Sequence, residues 1–466
     1  MFSSISLSFE DLNTETHFLM DRKHIHLTLI IALASIFSYS NLFAQASWEH
    51  VKAKNEPGKR HENAFVKVGT KFYLLGGRGM KPVEIYDPAT ATWTQGQMPP
   101  VEMSHFQSVA YHGMIYVMGG LQSGWPSETP LSHIYIYDTV EDLWVVGPEI
   151  PKDRQRGAAG VFVYEDKIYM VCGIINGHTS GWVSWFDVYD PKTNTWSKLP
   201  NAPRARDHFQ AAVVGDQLVV TGGRKSGYQG QGFEATIAET DMYDFTTGKW
   251  STLPSPAGDI PTQRAGCTAV VVGDEVIVIG GESGSQEKAH SEVEVFNAET
   301  KKWRKLPSLI TGRHGTQVIY SEGNLYVAAG CGNRGGAPEL NSFETYVLNS
   351  SDTQKDIAVT DGKLSASTET INFEKVKPYF SAKKSITLKN ADGNQGVLLT
   401  YIISTDQSNF GVDFPYELPY MIKPGESVDV EISYTPQATN STEGEILIKS
   451  SDRGNKQPLS IKLKGN

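Results

Sequence analysis

The sequence has few cysteines, no excess of basic residues and no long apolar run. It contains 3 cysteines, and its 42 Lys and Arg residues against 52 Asp and Glu residues give a net charge of −10. An odd number of cysteines allows at most one internal disulfide. No cysteine lies in the spacing of a zinc site or of a redox CxxC motif. Scattered basic residues on an acidic chain argue against a nucleic-acid partner. We therefore expect no metal, no cofactor and no nucleic acid.

The longest apolar stretch near the N-terminus is too short to cross a membrane. It runs for eleven residues, from Leu27 to Phe37, between the basic pair Arg22-Lys23 and the small residues of Ala44-Gln45-Ala46. A spanning helix needs about 20 residues, whereas this order of segments is typical of a secretory signal peptide. We predict that residues 1–46 are the signal-peptide region, with Met20 as an alternative start. The mature chain is then secreted, periplasmic or cell-surface, with no membrane span.

An apolar strand, a glycine doublet, a Tyr-Asp pair and a tryptophan recur in this order along the chain. The doublet or its equivalent begins at positions 76, 119, 172, 222, 280 and 329, so successive copies lie 43, 53, 50, 58 and 49 residues apart. Such periods, with four strand-like pieces each, are typical of a β-propeller. The sixth copy lacks its tryptophan, and Trp48 stands 28 residues before Gly76. We predict that Trp48 lies in the last strand of the sixth blade and closes the ring.

The segments "KFYLLGG" (71–77) and "IYDPATATW" (85–93), with their counterparts, resemble the kelch repeat. The resemblance covers residues 47–348 and implies a six-bladed kelch β-propeller, an all-β fold that hosts enzymes, sugar-binding proteins and protein scaffolds. From residue 364 onward, short alternating segments separated by turns predict a β-sandwich. The run "IKPGESVDVEISYTP" (422–436) resembles immunoglobulin-like domains of the abnormal-spindle and choice-of-anchor type. We expect a linker at 349–363 and an immunoglobulin-like β-sandwich at 364–466.

The segments that follow the glycine doublets vary most in length. They share one face of the predicted propeller, because strands alternate in direction within a blade. Long loops on one face of a rigid scaffold usually carry binding. Trp125, Trp182 and Tyr228 lie in Gly- and Ser-rich parts of these loops, where they are candidates to stack on a sugar or to anchor a protein. Packing of each aromatic side chain onto its own blade is the open alternative.

Five arginines occupy one position of the repeat, sixteen residues before the doublet, and Met103 is the exception in the second blade. They are expected to form a partial ring at the channel mouth, where a guanidinium group can bind carboxylate, sulfate or phosphate. The alternative is that they tie the blades together through backbone carbonyls. Four nearby histidines are interpreted as packing or rim residues. The arginines are Arg60, Arg156, Arg206, Arg264 and Arg313, and the histidines are His61, His105, His208 and His314.

Two main functions are open on this scaffold. The preferred one is an extracytoplasmic recognition module that binds a glycan or an extracellular protein, an anionic one included, on the loop face, with the sandwich as spacer or docking unit. The alternative is an enzyme similar to the six-bladed kelch sialic acid mutarotases, in which an arginine binds the carboxylate of an anionic sugar and Glu102 or Glu282 moves protons. A structural surface protein is a third possibility. The Tyr-Cys motif of copper-radical sugar oxidases, also kelch-like, has no match in the sequence.

Overall fold

The computed structural model describes residues 47–348, 360–452 and 458–465. The predicted signal-peptide region lies outside the described residues, as do residues 349–359 of the predicted linker. From Ser47 onward the chain forms one compact unit. Regular structure in the described ranges consists of β-strands and one short 3₁₀ turn, Tyr228–Gly230. These residues contain no helix of the length and hydropathy that a membrane crossing requires.

The strands of the first described range form six four-stranded antiparallel sheets, which we call blades one to six, and one separate two-stranded hairpin. A short strand, β1 (Glu49–His50), precedes blade one. Blade one consists of β2 (Asn63–Val68), β3 (Lys71–Gly76), β4 (Glu84–Asp87) and β5 (Thr92–Gln95), and blade two of β6 (Val109–Tyr111), β7 (Met114–Val117), β8 (His133–Asp138) and β9 (Leu143–Glu149). Blade three consists of β10 (Gly160–Tyr164), β11 (Lys167–Val171), β14 (Phe186–Asp190) and β15 (Thr195–Leu199). The hairpin of β12 (Ile174–Asn176) and β13 (Ser180–Trp182) lies between β11 and β14 in the chain. The strands of blades four to six are β16 (Ala211–Val214), β17 (Gln217–Val220), β18 (Asp241–Asp244) and β19 (Lys249–Thr252); β20 (Thr268–Val272), β21 (Glu275–Ile279), β22 (Val293–Asn297) and β23 (Lys302–Leu306); and β24 (Val318–Ser321), β25 (Asn324–Ala328) and β26 (Phe343–Val347).

The first strands of the blades follow one another in a closed circle, in which β2 contacts β6 and β24 also contacts β2. The second strands are continuous apolar runs, as in β21, where Val276 to Ile279 are all buried. Neighbouring blades cover both faces of these strands, and a strand buried on both faces needs apolar side chains at consecutive positions. The repeat pattern therefore follows from face-to-face packing of the sheets.

The Tyr-Asp and Trp elements of the repeat pair across the two outer strands of a blade. Tyr86 is the cross-strand partner of Trp93, with ring centroids 5.2 Å apart, and the equivalent pair of blade four, Tyr243 and Trp250, shows the same separation of 5.2 Å. Such aromatic pairs stabilise the outer edge of a sheet. The tryptophan thus follows the glycines at a distance set by the length of the loop between the second and third strands.

The N-terminal segment completes blade six, as its tryptophan spacing predicts. Strand β1 pairs antiparallel with β26, with Glu49 opposite Thr345. The Trp48 side chain is 4% exposed, lies 5.6 Å from the ring of Tyr346, and donates its indole N–H to the carbonyl of Pro307 at 2.9 Å. The ring is therefore closed by strands from both ends of the propeller, which leaves no open sheet edge between first and last blades.

The C-terminal domain is a sandwich of two sheets, in the orders β27-β29-β33-β31 and β28-β35-β34-β30-β32. It packs on the turns of blades two and three that lie opposite the doublet loops. There, Leu398 and Met421 join the buried cluster of blades two and three, and the N–H of Gly396 donates to the carbonyl of His112 at 2.8 Å. The loop face is left uncovered by the sandwich. Its strands are β27 (Leu364–Ala366), β28 (Thr370–Asn372), β29 (Ala382–Asn390), β30 (Val397–Ser404), β31 (Phe410–Asp413), β32 (Tyr420–Ile422), β33 (Ser427–Tyr434), β34 (Thr442–Ser450) and β35 (Leu459–Gly465).

Candidate functional site

The glycine doublets direct the chain out of each blade toward the mouth of the propeller. In blade five, Gly280 and Gly281 have backbone φ angles of 63° and 121°, which residues other than glycine rarely adopt. A Cβ atom on Gly280 would lie 2.1 Å from the carbonyl oxygen of Arg313. The doublet is therefore required both by its backbone conformation and by the close approach of the next blade's link.

The structure corrects the predicted ring of ligand-contacting arginines, because all five side chains are buried inside the blades with 1% exposure or less. Each guanidinium group donates to the carbonyl of the first doublet residue of its own blade, at 2.5 Å to 3.1 Å. Each also pairs with a buried acid of the same blade's third strand. The pairs are Arg60 with Glu84, Arg156 with Asp187, Arg206 with Asp241, Arg264 with Glu294 and Arg313 with Glu344. The arginines thus hold the doublet turns from within, and none faces the channel.

A closed ring of backbone hydrogen bonds surrounds the propeller axis. Its members stand two residues after each arginine or methionine of the register, and all have φ between 49° and 64°. From the second member onward, each N–H donates to the carbonyl of the preceding member, and the N–H of Asn63, next to the first member, closes the circle on Gly315 at 3.1 Å. The members are Glu62, His105, Ala158, His208, Gly266 and Gly315. Three chemically active side chains are thereby brought together at the axis.

Above this ring lies a cavity of about 290 Å³, which we call the mouth cavity, and residues of all six blades line it. Trp125 is 64% exposed at its rim and lies 4.7 Å from the ring of His178. The guanidinium of Arg78 lies 5.0 Å from the centre of the indole. Phe233 forms another part of the wall, 5.3 Å from the guanidinium of Arg224. The rim is therefore aromatic and the wall is charged.

The charged wall is built around a histidine whose pKa is raised in the folded chain. His314 lies between two carboxylates, with Nδ1 3.4 Å from Glu62 and Nε2 3.4 Å from Glu282. Burial alone would lower the pKa of His314, but Glu282 and Glu62 hold it well above its usual value. Burial raises the pKa of Glu282, yet His314 and Arg224 together keep it below its usual range. Arg224 donates to Glu282 at 2.5 Å, so these charges compensate one another.

Three histidines from different blades meet at the backbone ring, and one of them, His178, also lines the mouth cavity. One ligand-capable nitrogen of each of His105, His178 and His208 lies within 4.8 Å of the other two. Burial lowers the pKa of both His105 and His178, which favours their neutral forms. Sequence reasoning treated His105 and His208 as packing or rim residues and did not single out His178. The sequence signal available was that His105 and His208 occupy equivalent positions, each two residues after the arginine or methionine of its repeat.

The three predicted aromatic contacts have different environments. Trp125 lines the mouth cavity. The indole N–H of Trp182 donates to the carbonyl of Ser226 at 2.8 Å, and its ring meets that of Tyr228 edge-on at 5.6 Å. Trp182 therefore joins the loops of blades three and four, whereas the packing alternative placed it on its own blade, and Tyr228 is 39% exposed beside it. Neither of these two lines the mouth cavity.

The remaining candidate groups lie away from the cavity or are buried. Glu102 accepts the N–H of Gly79 at 3.0 Å and does not line the cavity. All three cysteines are unpaired and buried, and burial raises the pKa of the Cys172 thiol to about 11. A raised pKa makes a thiol unreactive. Cys172 is therefore a packing residue.

The fold and its repeats define the molecule as a kelch β-propeller joined to an immunoglobulin-like domain. A family model described as the Attractin/LZTR1 β-propeller matches residues 33–289, and the chain belongs to this family. A second model, described as a HYDIN/CFA65/VesB-like Ig-like domain, matches residues 362–466. This match supports the immunoglobulin-like assignment at the level of the domain class.

Relatives and a solved structure agree with this assignment. Kelch-like protein terF of Aspergillus terreus is 27% identical over 58% of this chain and 61% of that protein. Human Kelch-like protein 23 is 23% identical over 61% of this chain and 48% of that protein, so the chain spans about half to three fifths of these relatives. The structure of YjhT matches with a TM-score of 0.54 at 17% identity, over 65% of this chain and 98% of that one. This likeness shows the fold.

Proposed function

We propose that the protein is an extracytoplasmic recognition module that binds a glycan or a protein at the loop face of its propeller. The observation that carries the proposal is the mouth cavity, of about 290 Å³, to which every blade contributes. This volume is near the lower end for ligand pockets, which combine apolar walls with a few placed polar groups. The cavity therefore suits one sugar residue or one protein side chain that anchors a larger ligand.

The chemistry of the cavity favours a polar ligand with an apolar face. Trp125 and Phe233 offer flat aromatic surfaces to the C–H face of a sugar or to an inserted side chain. Glu62, Glu282 and Arg224 offer hydrogen-bonding groups deeper in the wall. The five arginines of the repeat register do not support an anionic ligand, because each is buried and neutralised by an acid of its own blade.

The position of the sandwich supports recognition at this face. It packs on the opposite turns, through residues such as Leu398 and Met421, and so leaves the mouth accessible. Kelch propellers typically bind proteins, and the relatives found here are named kelch-like proteins. Placement outside the cytoplasm rests on the basic, apolar and small-residue segments of residues 20–46.

The test is a glycan array and a binding screen against purified extracellular proteins, followed by two alanine variants. Trp125→Ala should weaken binding of a ligand so identified by about thirtyfold or more, the effect of losing an aromatic hot spot. Phe380→Ala is the matched control, because Phe380 is an aromatic side chain of the sandwich that is 66% exposed. The affinity of this variant for the same ligand should stay within about threefold of wild type. Equal affinities of the two variants would reject the mouth cavity as the binding site.

A mutarotase-like activity on anionic sugars is the second candidate, favoured by the presence of Glu282 in the cavity wall. The lowered pKa of Glu282 makes it a weak proton donor near neutral pH, and Glu102 does not line the cavity. Proton NMR of sialic or uronic acids measures anomer exchange directly. Acceleration by the wild type that disappears in Glu282→Gln would replace the recognition proposal, whereas an unchanged exchange rate supports it.

A further inference from the structure

We propose that His105, His178 and His208 bind a divalent transition metal ion of the zinc type at the axial backbone ring, beside the mouth cavity that His178 lines. One ligand-capable nitrogen of each lies within 4.8 Å of the other two, and two of the three residues belong to the backbone ring at the axis. Imidazole is a preferred ligand of zinc, copper, nickel and iron. The proposal concerns a metal ion and stands independently of the glycan or protein ligand.

The second nitrogen of each imidazole has a hydrogen-bond acceptor. Nδ1 of His178 lies 3.0 Å from Glu128 Oε2, and Nδ1 of His208 lies 2.5 Å from Asp207 Oδ1. Nδ1 of His105 lies 2.8 Å from Ser104 Oγ. Carboxylates accept hydrogen bonds, so Nδ1 of His178 and of His208 carries the proton. A carboxylate that orients a histidine in this way is the usual outer partner of a metal-bound imidazole.

This tautomer places lone pairs, rather than N–H groups, at the centre of the cluster. Nε2 of His178 and Nε2 of His208 are only 3.0 Å apart. Two lone pairs at this distance repel each other unless a cation lies between or beside them. In a tetrahedral zinc site with bonds of about 2.0–2.1 Å, neighbouring ligand atoms lie about 3.4 Å apart. His178 and His208 are close to this spacing, and a ligand-capable nitrogen of His105 lies within 4.8 Å of both.

A carboxylate next to the histidines offers a fourth ligand. Glu62 Oε2 lies 3.6 Å from Nε2 of His105, which is near the separation of two ligand atoms on one ion. Arg78 is the opposing charge, with its guanidinium 3.4 Å from the same nitrogen. Its side chain is 27% exposed and pairs with Glu128 at 2.9 Å. The charge of Arg78 is therefore already compensated in part by Glu128.

The charge around the cluster suits a cation. Three carboxylates lie against the imidazoles: Glu128 and Asp207 accept from His178 and His208, and Glu62 lies 3.6 Å from His105. Arg78 opposes them from 3.4 Å, so negative charge is in excess beside the three histidines. A bound ion would also fix the loop of His178, which contacts Trp125, onto the central ring.

The test uses the full chain after dialysis against a chelator, titrated with zinc in competition with a chromophoric chelator. One equivalent should bind, and cobalt in its place should give the absorption of a tetrahedral site. His178→Gln should weaken zinc binding at least 100-fold. Glu128→Gln should weaken it about 10- to 100-fold, as loss of an outer partner does. His133→Gln is the matched control, because His133 lies in β8 outside the cluster, and its affinity should equal that of the wild type.

Thermal melting of each variant without metal shows that the chain is folded, and His178 lies in a loop where substitution is tolerated. Failure to bind a stoichiometric ion would overturn the proposal, as would an affinity that survives His178→Gln. A single imidazolium shared by His178 and His208 after zinc treatment, seen by nitrogen NMR, would also overturn it. The binding assay with Trp125→Ala is run without metal, so its outcome and the metal titration are distinguishable.

Discussion

Replacing Arg264 with alanine should destabilise the propeller by about 3–5 kcal/mol, the cost of stranding one partner of a buried ion pair. The Arg264 side chain is fully buried and donates to Gly280, Thr262 and Glu294 at 2.5 Å, 2.6 Å and 2.6 Å. Without it, the Glu294 carboxylate keeps a hydrogen bond from Thr262 and a distant partner, Lys305, at 3.7 Å. The backbone carbonyls of Gly280, Thr262 and Val278 also lose this donor.

The measurement is equilibrium unfolding in urea, followed by tryptophan fluorescence, with Arg304→Ala as the control. Arg304 forms an ion pair with Glu275 in the same blade, but its side chain is 48% exposed, so its loss should cost about 0–1 kcal/mol. Replacing Glu294 with leucine in an Arg264→Met background should recover the share that comes from the stranded carboxylate. Ligand affinity should stay unchanged throughout. An effect of Arg264→Ala no larger than that of the control, or a loss of binding at unchanged stability, would refute the structural role of these arginines.

Three further predictions concern closure of the ring, contact between the domains and pH. Trp48→Ala should cost about 3–5 kcal/mol in urea unfolding, because it removes a buried indole from the closing strand; an unchanged midpoint would contradict closure by β1. Leu398→Asp with Met421→Asp should separate the sandwich from blades two and three, seen as a larger radius of gyration in solution scattering, and an unchanged radius would deny that interface. The pKa of His314 is raised in the folded state. Its contribution to folding stability is therefore fully present below its unfolded pKa of about 6.5 and is lost as the pH rises through its folded-state pKa. The difference in Tm between wild type and His314→Asn should therefore shrink at alkaline pH, and a difference that grows there would show that the sign is wrong.

The all-β class, the propeller repeats and the closing role of Trp48 could be predicted from the sequence, because each depends on local patterns. Continuous apolar strands, Gly-Gly turns and Tyr–Trp pairs each record one contact that recurs in every blade. The loop face could also be predicted, since strand direction alternates within a sheet. Trp125 was found in this way, and it lines the mouth cavity.

The role of the arginines could not be predicted from the sequence. Their shared repeat position shows that they are equivalent, but it does not show whether their side chains are buried in the blade or exposed at the channel. Arg206 and its counterparts turn inward onto their own doublets, where third-strand acids such as Asp241 accept them. Those acids recur in the Tyr-Asp region and were available as a signal. The histidine cluster is harder to predict, because His178 comes from a loop of irregular length. Its meeting with His105 and His208 depends on the path of that loop.

If the mouth cavity holds the ligand, a crystal structure of the full chain with the tightest ligand from the screen will show it there. We predict that electron density for a sugar residue or an inserted side chain will lie in the cavity between Trp125 and Phe233, within hydrogen-bonding distance of Glu282 or Arg224. Density confined to the sandwich, or to the opposite turns of the blades, would contradict it.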